Sequence, residues 1–531
     1  MEKKETTSLK WKTITSVIWK FTEKIAAQAI HFVVSIILAR LLAPEDYGII
    51  ALVSVFITIC NKLVISGFAT SLIQKKDADN LDFSTVFYFS CAMAAVLYAA
   101  LWFGAPLIAG FYSEYENGLL IQVIRVMGLN VFIIAVNSVQ QAYVSRTMQF
   151  KRYFLSTILG NTISAAVGIG LALGGYGVWA LVAQTLLAAF VNAVVLWFTV
   201  KWRPQLKFSF KRFKELFSYG WKIFTASIIK TIYNELRSLV IGKFSPADLA
   251  FYNKAQSFPQ LIDSNVEGTI DSVLFPAISK KQASKDEMRA MLRRAIKTTS
   301  YVLIPLLVGL SAASKPVILI LLGEEWAQSI PLMQILSFAF ILAPMEIENL
   351  QAIKATGRSD IVLKLEIIKK VVGILLIIAS VPFGVTAMAV SAVVVAIFSA
   401  IVNAVPNKKL LGYTFKMQIK DILPTLILSA VMFGAVYPVS LIKESVWNGV
   451  GEKVAGLFTS LISHIPSEEV QNWVINFVVN NTGLCFMLLV QVVVGVVIYI
   501  SLSVIFKVES FKYILGLLKG FLPKKTKKTE E

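Results

Sequence analysis

Charged side chains recur at helical spacing inside stretches that are otherwise apolar enough to lie in a lipid bilayer. Lys20, Lys24, Gln28, His31 and Ser35 advance in steps of three and four, with Glu23 three residues after Lys20, opposite Ile30, Val33, Val34 and Ile37, so they are expected to share one helix face. Lys222, Lys230, Asn234 and Arg237 form a comparable stripe further along, and Lys62, Arg125 and Lys364, with Asn61, Asn137, Lys369 and Lys370, add polar groups in apolar surroundings. Each charge costs about 2.5–3.5 kcal/mol at the middle of a membrane helix. The stripes are therefore expected to face a bundle interior or water. Cations outnumber acids among them, and surplus ammonium and guanidinium groups are stabilised by an anion. Arg grips phosphate oxygens with two donors while Lys acts as a point charge. The alternative for Lys20, Lys24 and Lys222 is that they lie near helix ends and reach their ammonium groups into the interface.

Asp263, Glu267 and Asp271 fall at i, i+4 and i+8, one carboxylate face of another segment. Such groups are candidates for coupling to a proton or sodium gradient; the alternative is that they neutralise neighbouring lysines or arginines. Glu346 and Glu348 carry the same ambiguity. His31 is either a titrating group or a residue hydrogen-bonded to a neighbour. No catalytic constellation emerges, because the chain has no P-loop, no Gly-x-Ser-x-Gly, no His-Glu-x-x-His and no Cys-x-x-Cys. Cys60, Cys91 and Cys485 sit in apolar segments without metal-ligand or disulfide spacing, so neither a metal nor another cofactor is expected.

The elements that carry these residues are membrane helices. At 56% hydrophobic over 531 residues, the chain is too apolar for a soluble protein. About fourteen segments approach or exceed the ~20 residues needed to cross a bilayer. They lie near 14–42, 47–74, 83–112, 119–145, 152–174, 177–200, 217–243, 249–278, 298–322, 328–353, 361–381, 384–404, 421–442 and 482–506. The expected fold is an all-α polytopic membrane protein.

Charge sets the orientation. Lys75-Lys76, Arg146 to Arg152, the stretch Lys201 to Lys214, Lys280 to Lys297, Arg358, Lys408-Lys409 and the tail Lys524 to Lys528 fall on one side, and Glu45-Asp46, Glu114, Glu116, Asp248 and Glu324-Glu325 on the other. This alternation is the positive-inside pattern with both termini cytoplasmic. It accounts for most of the formal net charge of +19, and nucleic acid is not an expected partner. The first apolar run has no small-residue cleavage site and reads as an uncleaved span.

The chain also repeats itself. Ser16, Trp19, Lys20, Pro44 and Asp46 recur with the same spacing as Ser218, Trp221, Lys222, Pro246 and Asp248, and Tyr176-Gly177-Val178 is echoed by Phe383-Gly384-Val385. The expected organisation is a six-helix bundle over 1–200, a basic linker at 201–216, a second six-helix bundle over 217–405, and a C-terminal region 406–531. That last region holds two extra helices, an external amphipathic insert at 443–481 and a basic tail. An even number of helices per bundle gives both the same orientation, related by a pseudo-two-fold axis along the membrane normal.

The run Ile37-Leu38-Ala39-Arg40-Leu41-Leu42-Ala43-Pro44-Glu45-Asp46-Tyr47-Gly48, after Trp19-Lys20, resembles the start of the bacterial polysaccharide flippases, as do Gly323-Glu324-Glu325-Trp326, Gln351-Ala352 and Thr356-Gly357-Arg358 for their second half. These flippases form the polysaccharide branch of the multidrug/oligosaccharidyl-lipid/polysaccharide (MOP) exporter superfamily, and the resemblance covers roughly residues 10–440. It implies a flippase of the bacterial cytoplasmic membrane that moves an undecaprenyl-pyrophosphate-linked oligosaccharide to the outer leaflet by alternating access. The product would feed O-antigen, capsule, exopolysaccharide or teichuronic-type polymer synthesis. Its implied partners are membrane lipids, a polysaccharide polymerase and glycosyltransferases. Two other readings compete. A cation-coupled drug antiporter of the same superfamily should have a net acidic cavity, and a membrane glycosyltransferase or polymerase should carry a large catalytic loop.

Overall fold

The computed structural model describes residues 2–65, 68–75, 77–281, 284–442, 446–447, 449 and 468–521, with side-chain surroundings left out for 2–14, 222–223, 267–273, 468–480 and a few further positions. Among the described residues every regular element is helical. The chain packs as two compact units, 1–250 and 251–531.

The first unit holds α1 (Glu2–Leu41), α2 (Pro44–Ile65), α3 (Phe68–Gln74), α4 (Asn80–Phe111), α5 (Asn117–Met127), α6 (Leu129–Thr147), α7 (Phe150–Leu173), α8 (Val178–Thr199) and α9 (Phe210–Ile241). The division between units falls inside α10 (Pro246–Ser279). The second unit continues with α11 (Lys285–Ala312), α12 (Ser314–Leu321), α13 (Ser329–Ala339), α14 (Ala343–Ala355), α15 (Ser359–Ser380), α16 (Gly384–Leu411), α17 (Phe415–Val436), α18 (Glu468–Ile505) and α19 (Glu509–Phe521). Helix α9 packs on α2, α3 and α4, so packing groups it with the first unit rather than dividing the chain at the basic stretch 201–216.

Among the described residues every segment expected to span is largely helical, but several fall on two helices, 47–74 on α2 and α3 among them. The expected 119–145 is α5 and α6 meeting at Gly128, 298–322 is α11 and α12 meeting at Ala313, and 328–353 is α13 and α14. Eleven stretches among the described residues have the length and apolarity of a membrane crossing. One of these, Ser359–Leu411, contains both α15 and α16, divided by a 3-10 turn at Val381–Phe383. Helices α9 and α10 are long enough to cross yet too polar to be counted. Within the expected insert 443–481, residues 468–481 belong to α18, and 450–467 lie outside the described residues, as do the tail lysines after 521.

The helix ends follow local chemistry. Pro44 opens α2 with Glu45 and Asp46 in its first turn, where a missing N–H and negative charge both suit the helix N-terminus. Asp79 and Asp82 form a reciprocal capping box at α4. Ser209, Ser284 and Thr414 cap α9, α11 and α17 with side-chain oxygens. The positively charged loops have structural partners as well. Arg146 donates to the carbonyls of Leu72 at 2.7 Å and Lys75 at 2.5 Å, closing α3. Arg152 donates to Thr199 O, and Arg203 to the Val200 and Trp202 carbonyls at 2.6 and 2.7 Å. Cations at helix C-termini meet carbonyls that have no partner within the helix. Backbone N–H donation from Asp82, helped by the Arg212 guanidinium, holds the Asp79 carboxyl below the usual carboxylate range.

The two repeated motifs meet in the first unit. The Asp46 carboxylate accepts from the N–H of Val178, the first residue of α8. Gly177 just before it has φ 53° and ψ −130°, a conformation closed to residues with a Cβ; its echo Gly384 has φ 79°. Asp46→Ala is expected to remove this cap and cost about 1–2 kcal/mol. Thermal unfolding of the purified chain checks it, with Asp46→Asn expected to keep most of the stability because its amide oxygen still accepts.

Candidate functional site

Helix α1 is an edge helix. Only 17% of its most apolar window is buried, and it packs chiefly on α7. Val34, Leu38 and Leu42 enter the core cluster with Ala165, Ala172 and Leu181. The outward surface then divides. Lys20, Lys24 and His31 are exposed along one sector, while Ile18, Ile25 and Val33 are exposed along another that also holds Thr22, with exposed Phe21 between the two. A helix facing lipid all round its outer side has no reason to segregate its exposed residues in this way; a helix between lipid and water does. Of the six stripe residues, Lys20, Lys24 and His31 are exposed and Glu23, Gln28 and Ser35 half-buried, so its lysines point outward from the first unit rather than into its core.

A chain of side-chain hydrogen bonds backs that stripe. Glu23 accepts from the Thr157 hydroxyl and lies beside the Lys20 ammonium. Asn192 donates to Ser156 Oγ at 3.2 Å and Thr157 Oγ1 at 3.4 Å, and accepts from Asn137 Nδ2 at 2.7 Å. Polar contact thus runs from the buried Asn137 of α6 through α8 and α7 to the surface of α1. Lys20 also sits 5.6 Å from the Phe150 ring centre. Such a tether holds a carboxylate beside the lysines and limits how far α1 can turn about its axis.

The remaining candidates lie in several places. On α9, Lys230 and Asn234 are exposed and Arg237 half-buried, while Lys222 is helical with its side chain outside the described set. Helices α1 and α9 belong to the same unit. Lys62 is exposed in the last turn of α2, where its charge complements the helix dipole. Arg125 stacks 4.7 Å over the Trp102 ring and its Nε donates to Trp102 O at 3.3 Å, so part of its donor capacity is used locally. Lys364 is exposed on α15 beside exposed Leu363, Ile367 and Ile368. Asp263 on α10 is half-buried; the side chains of Glu267 and Asp271 lie outside the described residues.

In the second unit, pairing takes up charge that the sequence leaves open. Lys369 of α15, 7% exposed, lies 3.0 Å from Glu346 and 2.7 Å from Glu366. It is a neutralised cation. Asn403 donates to the Glu346 carbonyl at 3.0 Å. Next to it Asn349, Asn407 and Gln418, all fully buried, bond one another at 2.7 to 3.0 Å across α14, α16 and α17. The Glu348 carboxylate is also fully buried; among the described residues its oxygens accept no hydrogen bond of ordinary geometry, and the Thr299 hydroxyl is the group directed at it. The sequence signal for this network is the run of amides inside apolar helices; the partners come from distant segments and are not readable from spacing.

Comparison with known proteins places this arrangement in a family. A family model described as polysaccharide biosynthesis protein matches residues 37–331. The succinoglycan biosynthesis transport protein ExoT of Rhizobium meliloti (strain 1021) is 24% identical over 330 residues, covering 62% of this chain and 66% of ExoT, just under two thirds of its length. The teichuronic acid biosynthesis protein TuaB of Bacillus subtilis (strain 168) is 25% identical, covering 71% of this chain and 78% of TuaB. The lipopolysaccharide biosynthesis protein WzxC of Escherichia coli (strain K12) is 24% identical, covering 80% and 88%. Among solved structures, the lipid II flippase MurJ in an inward closed conformation has a TM-score of 0.67 at 14% identity, covering 93% of this chain and 98% of MurJ. An inward-facing multidrug resistance MATE transporter of the MOP superfamily has 0.58 at 17% identity, covering 73% and 94%. The chain belongs to the polysaccharide biosynthesis protein family and shares the helical fold of MurJ and the MATE transporter.

Proposed function

We propose that this protein moves an undecaprenyl-pyrophosphate-linked oligosaccharide from the cytoplasmic to the outer leaflet of a bacterial cytoplasmic membrane, for assembly of a surface polysaccharide. The observation that carries this reading is the outward polar sector of α1, where Lys20 and Lys24 stand apart from the apolar sector. Surplus ammonium groups suit a pyrophosphate head group, while the prenyl tail stays in lipid. The cations of α9, Lys230 and Arg237, extend the same chemistry within the first unit. Access alternates between the two faces of the membrane, and a proton or sodium gradient supplies direction through Asp263. Relatives that serve three different polymers support a shared lipid carrier rather than one sugar. The drug-antiporter reading fits less well, since cations outnumber carboxylates on the exposed faces of α1 and α9.

The test is export in cells that depend on this chain for their polymer. Loss of a charge-assisted contact to phosphate is worth about 1.5–3 kcal/mol, so Lys20→Gln with Lys24→Gln should lower export about tenfold or more. Protein abundance in the membrane should be unchanged, and the double arginine variant should retain export. Wild-type export by the glutamine pair would exclude a head-group role for this face.

A further inference from the structure

A second cationic site lies within the second unit, where α11 meets α19. A cavity of about 640 Å³ is lined by Arg289, Arg293, Arg294, Lys297 and Lys512, five cations against the two carboxylates of Asp286 and Glu509. Three of the cations are already committed. Arg293 is bidentate to Asp421 at 2.6 Å, Lys297 pairs with Glu509 at 2.6 Å, and Arg289 with Asp286 at 2.7 Å. The Lys297 ammonium holds the Glu509 carboxyl below its usual range. Arg294 instead stacks 5.3 Å over the Tyr513 ring, and neither it nor Lys512 has a carboxylate within ion-pair distance among the described residues. Both line the same cavity.

A second cavity of about 600 Å³ shares Lys297, Glu509 and Ser510 as a common wall. Its other side is mainly apolar, built from Leu423, Pro424, Ile427 and Leu428 of α17 with Phe506 and Val508, and Lys420, Asp421 and Lys507 stand at its rim. Helix α19 begins where the long α18 ends and docks through Val508, Phe511 and Ile514 on the core around Tyr301, the position of an amphipathic helix at a membrane surface. A charged cavity at the level of the head groups therefore adjoins an apolar groove that runs up a spanning helix.

We propose that this pair of cavities binds an anionic membrane phospholipid, its phosphate between Arg294 and Lys512 and one acyl chain along the α17 groove. Free phosphate would use the charged half alone; the adjoining groove is what selects a lipid. Basic pockets beside spanning helices are suited to anionic head groups, and Arg294, already held by Tyr513, gives up little side-chain freedom on binding. Occupancy would pin α19 to α11 and α17.

The experiment uses the full chain in neutral detergent, titrated separately with phosphatidylglycerol, phosphatidylcholine and inorganic phosphate, and read by thermal unfolding and by retained lipid in native mass spectrometry. Phosphatidylglycerol should raise the unfolding midpoint and stay bound, with phosphatidylcholine and phosphate giving neither effect. Arg294→Gln with Lys512→Gln should weaken phosphatidylglycerol binding at least about tenfold, while Lys512→Gln alone, which keeps the Arg294–Tyr513 stacking, should weaken it less at an unchanged lipid-free midpoint. Ile427→Trp, which fills the groove without touching a charge, should weaken it too. Equal stabilisation by phosphatidylcholine, full stabilisation by phosphate alone, or full binding by the double variant or by Ile427→Trp would overturn the proposal.

Discussion

Gly48→Ala is expected to prevent the first unit from folding. Gly48 is buried in the first turns of α2, and a Cβ built on it would lie 1.9 Å from the carbonyl oxygen of Pro246, 2.4 Å from its carbonyl carbon and 2.7 Å from its Cα. All three are backbone atoms at the start of α10, so no side chain can swing aside and the two helix N-termini would have to part. Overpacking costs about 1–3 kcal/mol where side chains yield and more where they do not; a cost above ~3 kcal/mol is expected here. A control sits in α4, where a Cβ on Gly104 would meet nothing within 4 Å. Gly104→Ala should be neutral or stabilising by about 0.5–1 kcal/mol through helix propensity alone. Folded yield by size exclusion in detergent and the thermal midpoint distinguish the two, and a wild-type midpoint for Gly48→Ala would mean that α2 and α10 do not approach this closely.

That contact explains why a turn motif repeats. Pro44 and Pro246 open α2 and α10, and the Gly48 that follows the first lies against the second. Asp46 meanwhile ties the α2 start to the α8 start through Val178. The sequence reveals that Pro-x-Asp and Tyr/Phe-Gly-Val each occur twice, but not that the two motifs touch, because nothing in their spacing brings residues 46 and 178 together.

Helices were legible because apolar runs of spanning length are long-range signals that survive averaging. Their breaks were legible only in part: Gly128 lies within an apolar stretch where the tertiary packing decides, whereas Ser314-Lys315-Pro316 directly after Ala313 carries a local signal for the break before α12. Helices α9 and α10 fall below the apolarity of a typical crossing, and it was their correspondence with the first repeat that marked them. The α1 stripe was legible from its steps of three and four. Its support from Thr157, Asn192 and Asn137 was not, since those residues come from three other helices. Counting cations along the chain also overstates the free positive charge, because a count cannot see that Lys369 has two carboxylates beside it while Lys24 stands exposed.

Lys369→Ala is the second large effect expected. The Lys369 ammonium is the common partner of Glu346 and Glu366, at 3.0 and 2.7 Å, and is itself 7% exposed while the two carboxylates are about one third exposed. Without it the two carboxylates lose their shared cation while each remains about two thirds buried. Breaking a buried pair by removing one partner costs about 3–5 kcal/mol; the partial exposure of Glu346 and Glu366 places this case near the lower end. The cost resides in the charges left behind rather than in the bond removed. Lys369→Met with Glu346→Gln and Glu366→Gln should therefore recover most of the stability lost by Lys369→Met alone, a coupling that a double-mutant cycle on the thermal midpoint measures. If the charge-free triple variant is no more stable than Lys369→Met, the lysine acts by packing its alkyl stem and not by neutralising α14 and α15.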